Sequence, residues 1–214
     1  MIELLNIDCM QYMKGCEDNA FDLAIVDPPY GIGMGGGKIG GDNCGDAKDY
    51  KQFHGNDIAP PEIEYFLELQ RVSKNQIVWG ANHFMDRIIK GKPCWVVWDK
   101  ENTGNFADCE LAYTSFKTAV RKFSYKWNGM LQGDMKNKEQ RIHPTQKPVK
   151  LYDWLLTNYA TLDMKILDTH LGSGSSAIAA HYFGCDFVGM EIDEDYYKAA
   201  CERFDRETRQ ETLF

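Results

Sequence analysis

Residues 21–30 of the 214-residue chain are Phe-Asp-Leu-Ala-Ile-Val-Asp-Pro-Pro-Tyr. The first six form an apolar, β-branched run that predicts a buried parallel strand. Each proline fixes its own φ and restricts the residue before it, so Asp27 and Pro28 are predicted to be extended. Because Pro28 and Pro29 have no N–H group, the Asp27 carboxylate and the nearby carbonyls can accept hydrogen bonds from a ligand. With the ring of Tyr30 they suit a flat base that carries an exocyclic amino group; the alternative is a turn that only caps the strand.

Strand and helix patterns alternate on both sides of this stretch. Apolar runs predict strands at 2–7, 76–79, 94–98, 111–116, 119–125, 164–167 and 187–190. Amphipathic patterns predict helices near 12–13, 60–73, 84–89, 148–159, 178–183 and from 194 onwards. The alternation is typical of one α/β domain over residues 1–214, with a doubly wound, mostly parallel sheet. We expect 111–116 and 119–125 to form an antiparallel hairpin at the edge of that sheet.

Four acidic residues follow strands of the predicted sheet directly or closely. Ligands of such sheets bind at the carboxyl ends of the strands. The acidic residues at these ends are Asp8, Asp27, Asp168 and Glu191. They mark the edge at which we expect the functional site.

Composition restricts the class of protein. The net charge of -8 argues against binding of nucleic acid over the whole surface. Residues 117–150, however, contain nine Lys or Arg against two acidic residues, which fits either a local DNA or RNA contact or a solvated loop. The seven cysteines are odd in number and never spaced as CxxC, which predicts free thiols, a cytoplasmic location and no metal site. No run is long and apolar enough to span a membrane, so no membrane partner is expected.

A long loop follows the first motif. Residues 31–57 hold nine glycines and few apolar residues. Loops of this length in compact domains are usually functional lids or disordered, so we predict a mobile glycine-rich loop.

A second motif, at residues 168–176, predicts a cofactor site. Gly172 and Gly174 lie between a predicted strand and a helix, where backbone amides and a helix N-terminus can approach a ligand. Glu191 ends the next strand about 20 residues later, placed to accept both ribose hydroxyls of an adenosine. That pattern alone also fits a nicotinamide or flavin enzyme, or a glycine turn without a ligand. Asp168 would repel a pyrophosphate but attract the ammonium group of an amino acid, which favours S-adenosylmethionine.

Three motifs together resemble a known family. They are Asp27-Pro28-Pro29-Tyr30, His143-Pro144-Thr145-Gln146-Lys147-Pro148 and Asp168-Thr169-His170-Leu171-Gly172-Ser173-Gly174-Ser175. In this order they resemble the β group of amino-methylating DNA methyltransferases, small bacterial or phage enzymes of restriction-modification type, over nearly the whole chain. The resemblance implies a Rossmann-like fold and methyl transfer from S-adenosylmethionine to the amino group of a flipped adenine in double-stranded DNA. Asp at the first position of the tetrapeptide usually accompanies adenine in this family, and Ser usually accompanies cytosine methylated on its amino group.

The resemblance implies roles for the catalytic tetrapeptide. Asp27 and the carbonyl of Pro28 would accept hydrogen bonds from the target amino group, with Pro29 in the same rigid turn. Tyr30 would stack on the flipped base.

The resemblance also implies a set of cofactor-binding residues. They are Asp8, Cys9, His143, Thr145, Lys147, Asp168, His170, Gly172, Gly174, Glu191 and Ile192. Asp168 and the two glycines would hold the methionine part, with Thr145 and Lys147 near its carboxylate. Glu191 would bind the ribose, Ile192 would pack on the adenine, and the pair Asp8 and Cys9 would contact the adenine edge. Family members often have Pro-Phe after the acid of this motif, where this chain has Thr169-His170.

Contacts with DNA are expected in residues 126–142, a short target-recognition segment. The candidates for phosphate contacts are Lys126, Lys136, Lys138 and Arg141, with Trp127 as a residue that wedges or stacks. Because the segment is short, its contacts would be shared with the glycine-rich loop or completed by a second subunit in a homodimer. The alternatives are a solvated loop, a cytosine-N4 DNA methyltransferase, and a DNA-binding module that holds the cofactor without turnover. Enzymes that methylate glutamine or RNA adenine usually carry Asn in place of Asp27.

Overall fold

The computed structural model describes residues 1–33, 37–38, 49–50, 57, 59–88, 91–102, 107–128 and 131–209. The strands are β1 (Ile2–Asn6), β2 (Phe21–Val26), β3 (Gly37–Lys38), β4 (Asp49–Tyr50), β5 (Ser73–Trp79), β6 (Trp95–Asp99), β7 (Cys109–Thr114), β8 (Arg121–Ser124), β9 (Trp127–Asn128), β10 (Leu131–Gln132), β11 (Lys165–Asp168) and β12 (Asp186–Glu191). The α-helices are α1 (Cys9–Lys14), α2 (Ile63–Val72), α3 (Val149–Tyr159), α4 (Ser175–Phe183) and α5 (Glu194–Thr208). Of the predicted loop 31–57, most lies outside the described residues.

One eight-stranded sheet organises the domain, in the order β1-β12-β11-β2-β5-β7-β6-β8. Strands β1, β12, β11, β2 and β5 are all parallel, which confirms the predicted α/β class with a mostly parallel sheet. Strand β7 is antiparallel to both neighbours, β5 and β6. The predicted position of the antiparallel strand at the edge is therefore wrong. Because both sides of β7 are occupied, 121–124 cannot pair with it and instead forms the edge strand β8, parallel to β6.

The sheet is covered on both faces, as a doubly wound fold requires. Leu23 and Ile25 of β2 face a core that includes residues of α3 and α4. Ala24 and Val26 face the opposite core, which includes residues of α1 and α2. This alternation follows from the two-residue period of a strand, and it explains why the whole of β2 is apolar except Asp22.

The predicted helix at 84–89 is wrong. The chain instead makes two short 3-10 turns, Ala81–His83 and Met85–Arg87. They are separated by Phe84, whose φ of -144° and ψ of 40° are not helical. Gly80, with φ of +68°, turns the chain out of β5 immediately before them.

Strand order brings the acidic residues of the sequence to one edge. Because β1, β12, β11 and β2 are parallel neighbours, their carboxyl ends lie side by side. Asp27 follows β2 at this edge, Asp168 ends β11 and Glu191 ends β12. Among the helices of the described part of the chain, none is long and apolar enough to cross a membrane.

Candidate active site

The carboxylate of Asp27 is held from two sides. The Tyr30 hydroxyl donates to Oδ1 at 2.6 Å, and the Lys147 ammonium donates to Oδ2 at 2.5 Å. The same ammonium lies 3.1 Å from the Tyr30 hydroxyl and 3.1 Å from Oε2 of Glu110. Lys147, which we expected near the carboxylate of the cofactor, thus contacts the catalytic tetrapeptide in this structure. Glu110, on β7, has no recognisable motif around it and was missed by the sequence analysis.

Burial and ion pairing compete in the electrostatics of this cluster. Burial raises the pKa of Asp27, while the Lys147 ammonium acts in the opposite direction. Burial also disfavours the charged forms of Lys147 and Glu110, but their ion pairs outweigh it. The pKa of Lys147 is raised by Asp27 and Glu110, and that of Glu110 is lowered to about 2 by Lys147 and Lys100. Lys147 therefore stays charged between two carboxylates.

The ring of Tyr30 is fixed by contacts that its motif does not reveal. The backbone amides of Tyr30 and Gly31 donate to Oδ1 of Asp57 at 2.7 and 2.8 Å. The ring of His83 stacks on that of Tyr30, with 5.0 Å between centroids and 14° between planes. Gly80 leaves room for the ring, since a Cβ atom there would lie 2.0 Å from Cε1 of Tyr30. The position of Gly80 directly after β5 was the only feature of the sequence that could indicate a close approach of the Tyr30 ring.

Asp168 is a buried carboxylate beside the glycine loop. Its side chain accepts hydrogen bonds from the Ser176 hydroxyl at 2.6 Å and from the His170 amide at 3.0 Å. Burial, assisted by the charges of Asp27 and Glu191, raises its pKa to about 7, although the two hydrogen bonds act in the opposite direction. Among the residues that the structure describes, no lysine or arginine forms an ion pair with it. A ligand ammonium would supply the missing positive charge.

Glu191 and Ile192 form the second half of the predicted cofactor site. Glu191 is buried and accepts from the amides of Gly172 at 2.9 Å and Asp193 at 3.0 Å. The side chain of Asn6 donates to the carbonyls of Glu191 and Ile192, which fixes this turn to β1. Ile192 is 58% exposed, so an apolar side chain lies open next to a carboxylate. The pair suits an adenosine, whose ribose offers hydroxyl donors and whose base offers an apolar face.

The glycine loop itself has the backbone that the motif predicts. Gly172 and Gly174 have φ values of +54° and +77°, which L side chains rarely adopt. Gly174 is the residue immediately before α4, so the helix N-terminus opens at the loop. The loop, Asp168 and Glu191 together fit S-adenosylmethionine.

Three polar side chains connect α2 to the cofactor motif. The Thr169 hydroxyl lies 2.6 Å from the Tyr65 hydroxyl and 2.9 Å from Nδ1 of His170. Burial lowers the pKa of His170 to about 4, so its imidazole is neutral at physiological pH. Tyr65 was not predicted. Thr169 and His170 thus form a hydrogen-bonded pair where family members often have Pro-Phe.

Asp8, Cys9 and His143 are three further residues that were predicted to bind the cofactor. Asp8 caps α1 by accepting from the Gln11 amide at 2.8 Å, and burial raises the pKa of the Cys9 thiol to about 12. The ring of His143 packs against that of Tyr196, with centroids 4.4 Å apart.

His143 also interacts with Thr145, whose hydroxyl lies 3.1 Å from Nδ1 of the ring. Burial, assisted by Lys147, lowers the pKa of His143 to about 4. A neutral ring is therefore expected at this position of the motif.

Arg203 supports the glycine loop from behind and was also missed. This residue of α5 is fully buried. Its guanidinium donates to the Ser173 carbonyl at 3.0 Å, to the Ser175 hydroxyl at 2.9 Å and to Glu139 at 2.8 Å. In the sequence it is an ordinary charged residue of an amphipathic helix.

The predicted DNA-contacting residues differ in exposure. Lys136 and Lys138 are exposed, and Lys126 is half-buried. Trp127 is buried, and its Nε1 donates to the Gln146 carbonyl at 2.7 Å. The guanidinium of Arg141 lies 4.7 Å from the centroid of the Trp127 ring. The prediction that Trp127 wedges or stacks on DNA is therefore wrong, because its ring belongs to the core.

Comparisons with known proteins identify the family of the chain. Residues 86–202, more than half of the chain, match the N6/N4 methyltransferase family model described as DNA methylase. The type II methyltransferase M2.MboI of Moraxella bovis is 24% identical over 234 residues, covering 92% of this chain and 85% of that protein. M2.DpnII of Streptococcus pneumoniae is 22% identical over 246 residues, covering 95% and 90%.

Solved structures share the fold. The M1.HpyAVI–SAM complex superimposes with a TM-score of 0.57 at 18% identity, over 95% of this chain and 100% of that chain. The PvuII DNA methyltransferase, which is cytosine-N4-specific, gives a TM-score of 0.63 at 12% identity, over 95% and 86%. The chain belongs to the N6/N4 DNA methylase family and is a DNA methyltransferase that uses S-adenosylmethionine.

Proposed function

We propose that this enzyme methylates the exocyclic amino group of adenine at a specific site in double-stranded DNA, with Asp27, Pro28, Pro29 and Tyr30 as its catalytic residues. The observation that carries the proposal is the Asp27 carboxylate at the same sheet edge as Asp168 and Glu191. An acceptor for amino hydrogens thus shares one edge with the carboxylates suited to the two ends of the cofactor. Asp, rather than Ser, at position 27 favours adenine.

The target nitrogen needs help because its lone pair is delocalised into the ring. Hydrogen bonds from its two N–H groups to Asp27 and the Pro28 carbonyl favour a pyramidal nitrogen with a free lone pair. S-adenosylmethionine supplies an activated sulfonium methyl group, so the enzyme mainly has to align the two reactants. As the nitrogen takes the methyl group it would gain positive charge, which the Asp27 carboxylate would stabilise. S-adenosylhomocysteine would leave with the former C–S bonding pair, and the nitrogen would pass one proton to solvent and become a neutral amine.

Each residue assigned to the cofactor has surroundings that suit the part of S-adenosylmethionine that it would bind. Asp168 would pair with the ammonium group, and the amides of the glycine loop would lie along the methionine. Glu191 would accept the ribose hydroxyls, and Ile192 would cover the adenine, with Asp8 and Cys9 at its edge. His143, Thr145 and His170 would border the same space.

The DNA must present its base outside the helix, because a paired base is inaccessible to this edge of the sheet. Tyr30, backed by His83, would stack on the flipped base. Lys126, Lys136, Lys138 and Arg141 would contact phosphates. A role in restriction-modification is supported by the type II methyltransferases among the relatives, and a homodimer would extend the short recognition segment. The expected compartment is the cytoplasm, where the DNA lies.

Cytosine-N4 methylation is the second candidate, favoured by the PvuII enzyme among the structural relatives. Expression in cells without adenine methylation, followed by sequencing that detects modified bases, separates the two. Methyladenine in one short motif supports the proposal. N4-methylcytosine overturns the assignment of the base, and unmodified DNA from cells that contain folded enzyme overturns the assignment of the substrate.

The role of Asp27 is tested by Asp27→Ala. We expect loss of methylation with cofactor affinity within about tenfold, or ~1.4 kcal/mol. Asp22→Ala is the matched control, because Asp22 lies on β2, which Asp27 follows, and pairs with Lys74 at 2.7 Å. Full activity of Asp27→Ala would rule out the catalytic assignment.

A further inference from the structure

Four charged side chains of alternating sign lead away from the proposed reaction centre. Lys147 lies between the carboxylates of Asp27, at 2.5 Å, and Glu110, at 3.1 Å. Lys100 forms an ion pair with the other oxygen of Glu110. The side chains are 4% exposed for Lys147 and about a fifth exposed for the other three. Burying such a cluster costs free energy unless every charge is paired. The presence of four charged side chains at the centre of the site therefore requires an explanation.

The chemistry demands an ionised Asp27. A carboxylate has only acceptor oxygens, whereas a protonated carboxyl presents an O–H donor. The amino group of the target base has to find an acceptor, so a protonated Asp27 would not serve. Burial alone favours the protonated form, and the Lys147 ammonium is the nearest positive charge that opposes it.

Lys147 also occupies an oxygen that the substrate needs. In the structure its ammonium donates to Oδ2 of Asp27, while Tyr30 holds Oδ1. Glu110 offers the same ammonium a second acceptor on the side away from Asp27. With Glu110 in place, the lysine can loosen its bond to Oδ2 and still remain charged and close.

We propose that Lys147 and Glu110 are positioning residues of methyl transfer: the Lys147 ammonium keeps Asp27 in its ionised, hydrogen-accepting form, and Glu110 holds that ammonium so that the target amino group can reach Asp27. The inference rests on the proposed function, in which Asp27 accepts the amino hydrogens. It replaces the expected role of Lys147 as a ligand of the cofactor carboxylate.

Single-turnover methyl transfer from pH 6 to pH 9 tests the inference. Cofactor and DNA are kept saturating, because Asp168 titrates at about pH 7 and would otherwise add its own effect on cofactor binding. Tyr30, Glu110 and Lys147 act directly on Asp27, and Tyr65 and Tyr152 also interact with its charge. Lys147→Met should lower the rate at pH 7 at least tenfold, and the rate should then rise with pH as Asp27 ionises. The wild-type rate should stay flat over this interval.

Lys147→Arg restores the charge and should recover most of the rate and the flat profile. Cofactor dissociation constants should stay within about twofold in both variants. Lys74→Met, at the start of β5, is the control for loss of an ion-paired lysine. A Lys147→Met enzyme with weakened cofactor binding and a wild-type pH profile would overturn the inference in favour of the cofactor carboxylate.

Glu110→Gln keeps the Asp27–Lys147 pair and tests the inference even if Lys147→Met does not fold. It should slow transfer severalfold alone but have no further effect in the Lys147→Met background, because it acts only through the lysine. A wild-type rate in Glu110→Gln overturns its assigned role. If Asp27→Ala were fully active, the proposed function would fail. If Asp27→Ala were inactive and the Lys147 and Glu110 variants were both normal, only this inference would fail.

Discussion

Gly80→Ala should show how strongly methyl transfer depends on the position of the Tyr30 ring, once the general cost of replacing a glycine is measured at a control position. A Cβ atom at Gly80 would lie 2.0 Å from Cε1 and 2.4 Å from Cδ1 and Cζ of Tyr30. The ring cannot yield freely, because its hydroxyl donates to Asp27 and one face stacks on His83. The substitution therefore displaces the residue that we expect to stack on the target base.

Two costs add in this variant. The φ of +68° at Gly80 is unfavourable for alanine by about 1–2 kcal/mol, which in a domain of this size lowers Tm by about 2–8 °C. Loss of the Tyr30–Asp27 hydrogen bond adds about 1.5–3 kcal/mol. If that bond is needed in the transition state, the rate falls roughly 10- to 100-fold.

Gly184→Ala is the matched control. Gly184 has φ of +89°, and the nearest atom to a Cβ there is Cδ2 of Leu162 at an ordinary 3.7 Å. It should lower Tm by the backbone cost alone, about 2–8 °C, and leave methyl transfer unchanged. Thermal unfolding, calorimetric titration with cofactor and single-turnover kinetics give the three readouts. A Gly80→Ala enzyme with the wild-type rate, or a Gly184→Ala enzyme that is equally slow, would refute the reasoning.

Three further substitutions test other parts of the molecule. Because the pKa of Asp168 is raised to about 7, cofactor binding should weaken from pH 8 to pH 6, as titration calorimetry can measure; Asp168→Asn should bind weakly at both. In the cofactor-free protein, pH acts on stability in the opposite direction. Protonation of the Asp168 carboxyl stabilises the folded protein fully below its ordinary pKa of 3.8, and this stabilisation is lost as the pH rises through the raised pKa of about 7. Arg203→Met removes the ion pair of the largely buried Glu139 carboxylate and should lower the free energy of unfolding in urea by ~3–5 kcal/mol. A loss under about 1 kcal/mol would contradict the supporting role of Arg203 behind the glycine loop. Replacing Lys136 and Lys138 with Gln should reduce the salt dependence of DNA binding by about two phosphate contacts, whereas Lys198→Gln on α5 should leave it unchanged.

The parts of the fold that could be predicted are those encoded locally. The apolar run 21–26 is long enough to be recognised as a strand buried on both faces, and Asp193 stands where a helix N-cap belongs. The acidic ends of β2, β11 and β12 could be placed together because neighbouring parallel strands end at one edge. These inferences need only short stretches of chain and the rule that ligands bind at carboxyl ends.

The parts that could not be predicted depend on strand order. Glu110 enters the site only because β7 inserts next to β5, which places its side chain within reach of Lys147. A hairpin of 111–116 with 119–125 satisfies the same local pattern, and nothing in the apolar periodicity distinguishes the two. Arg203 is similar: its burial is decided by contact with Ser173 and Glu139, which are remote in sequence.

The described residues of segment 126–142 support the site through contacts with both of its halves. Glu139 is tied to Gln132 by two hydrogen bonds of 2.8 and 2.9 Å and to the fully buried Arg203 by an ion pair. Trp127 is tied to the Gln146 carbonyl, one residue before Lys147. The described backbone is therefore anchored both to the glycine loop and to the lysine that holds Asp27, while Lys136 and Lys138 are exposed. A DNA phosphate bound by the exposed lysines of this segment would thus be held by a backbone that is fixed to both the glycine loop and Lys147. Fewer phosphate contacts would then suffice to position the target base.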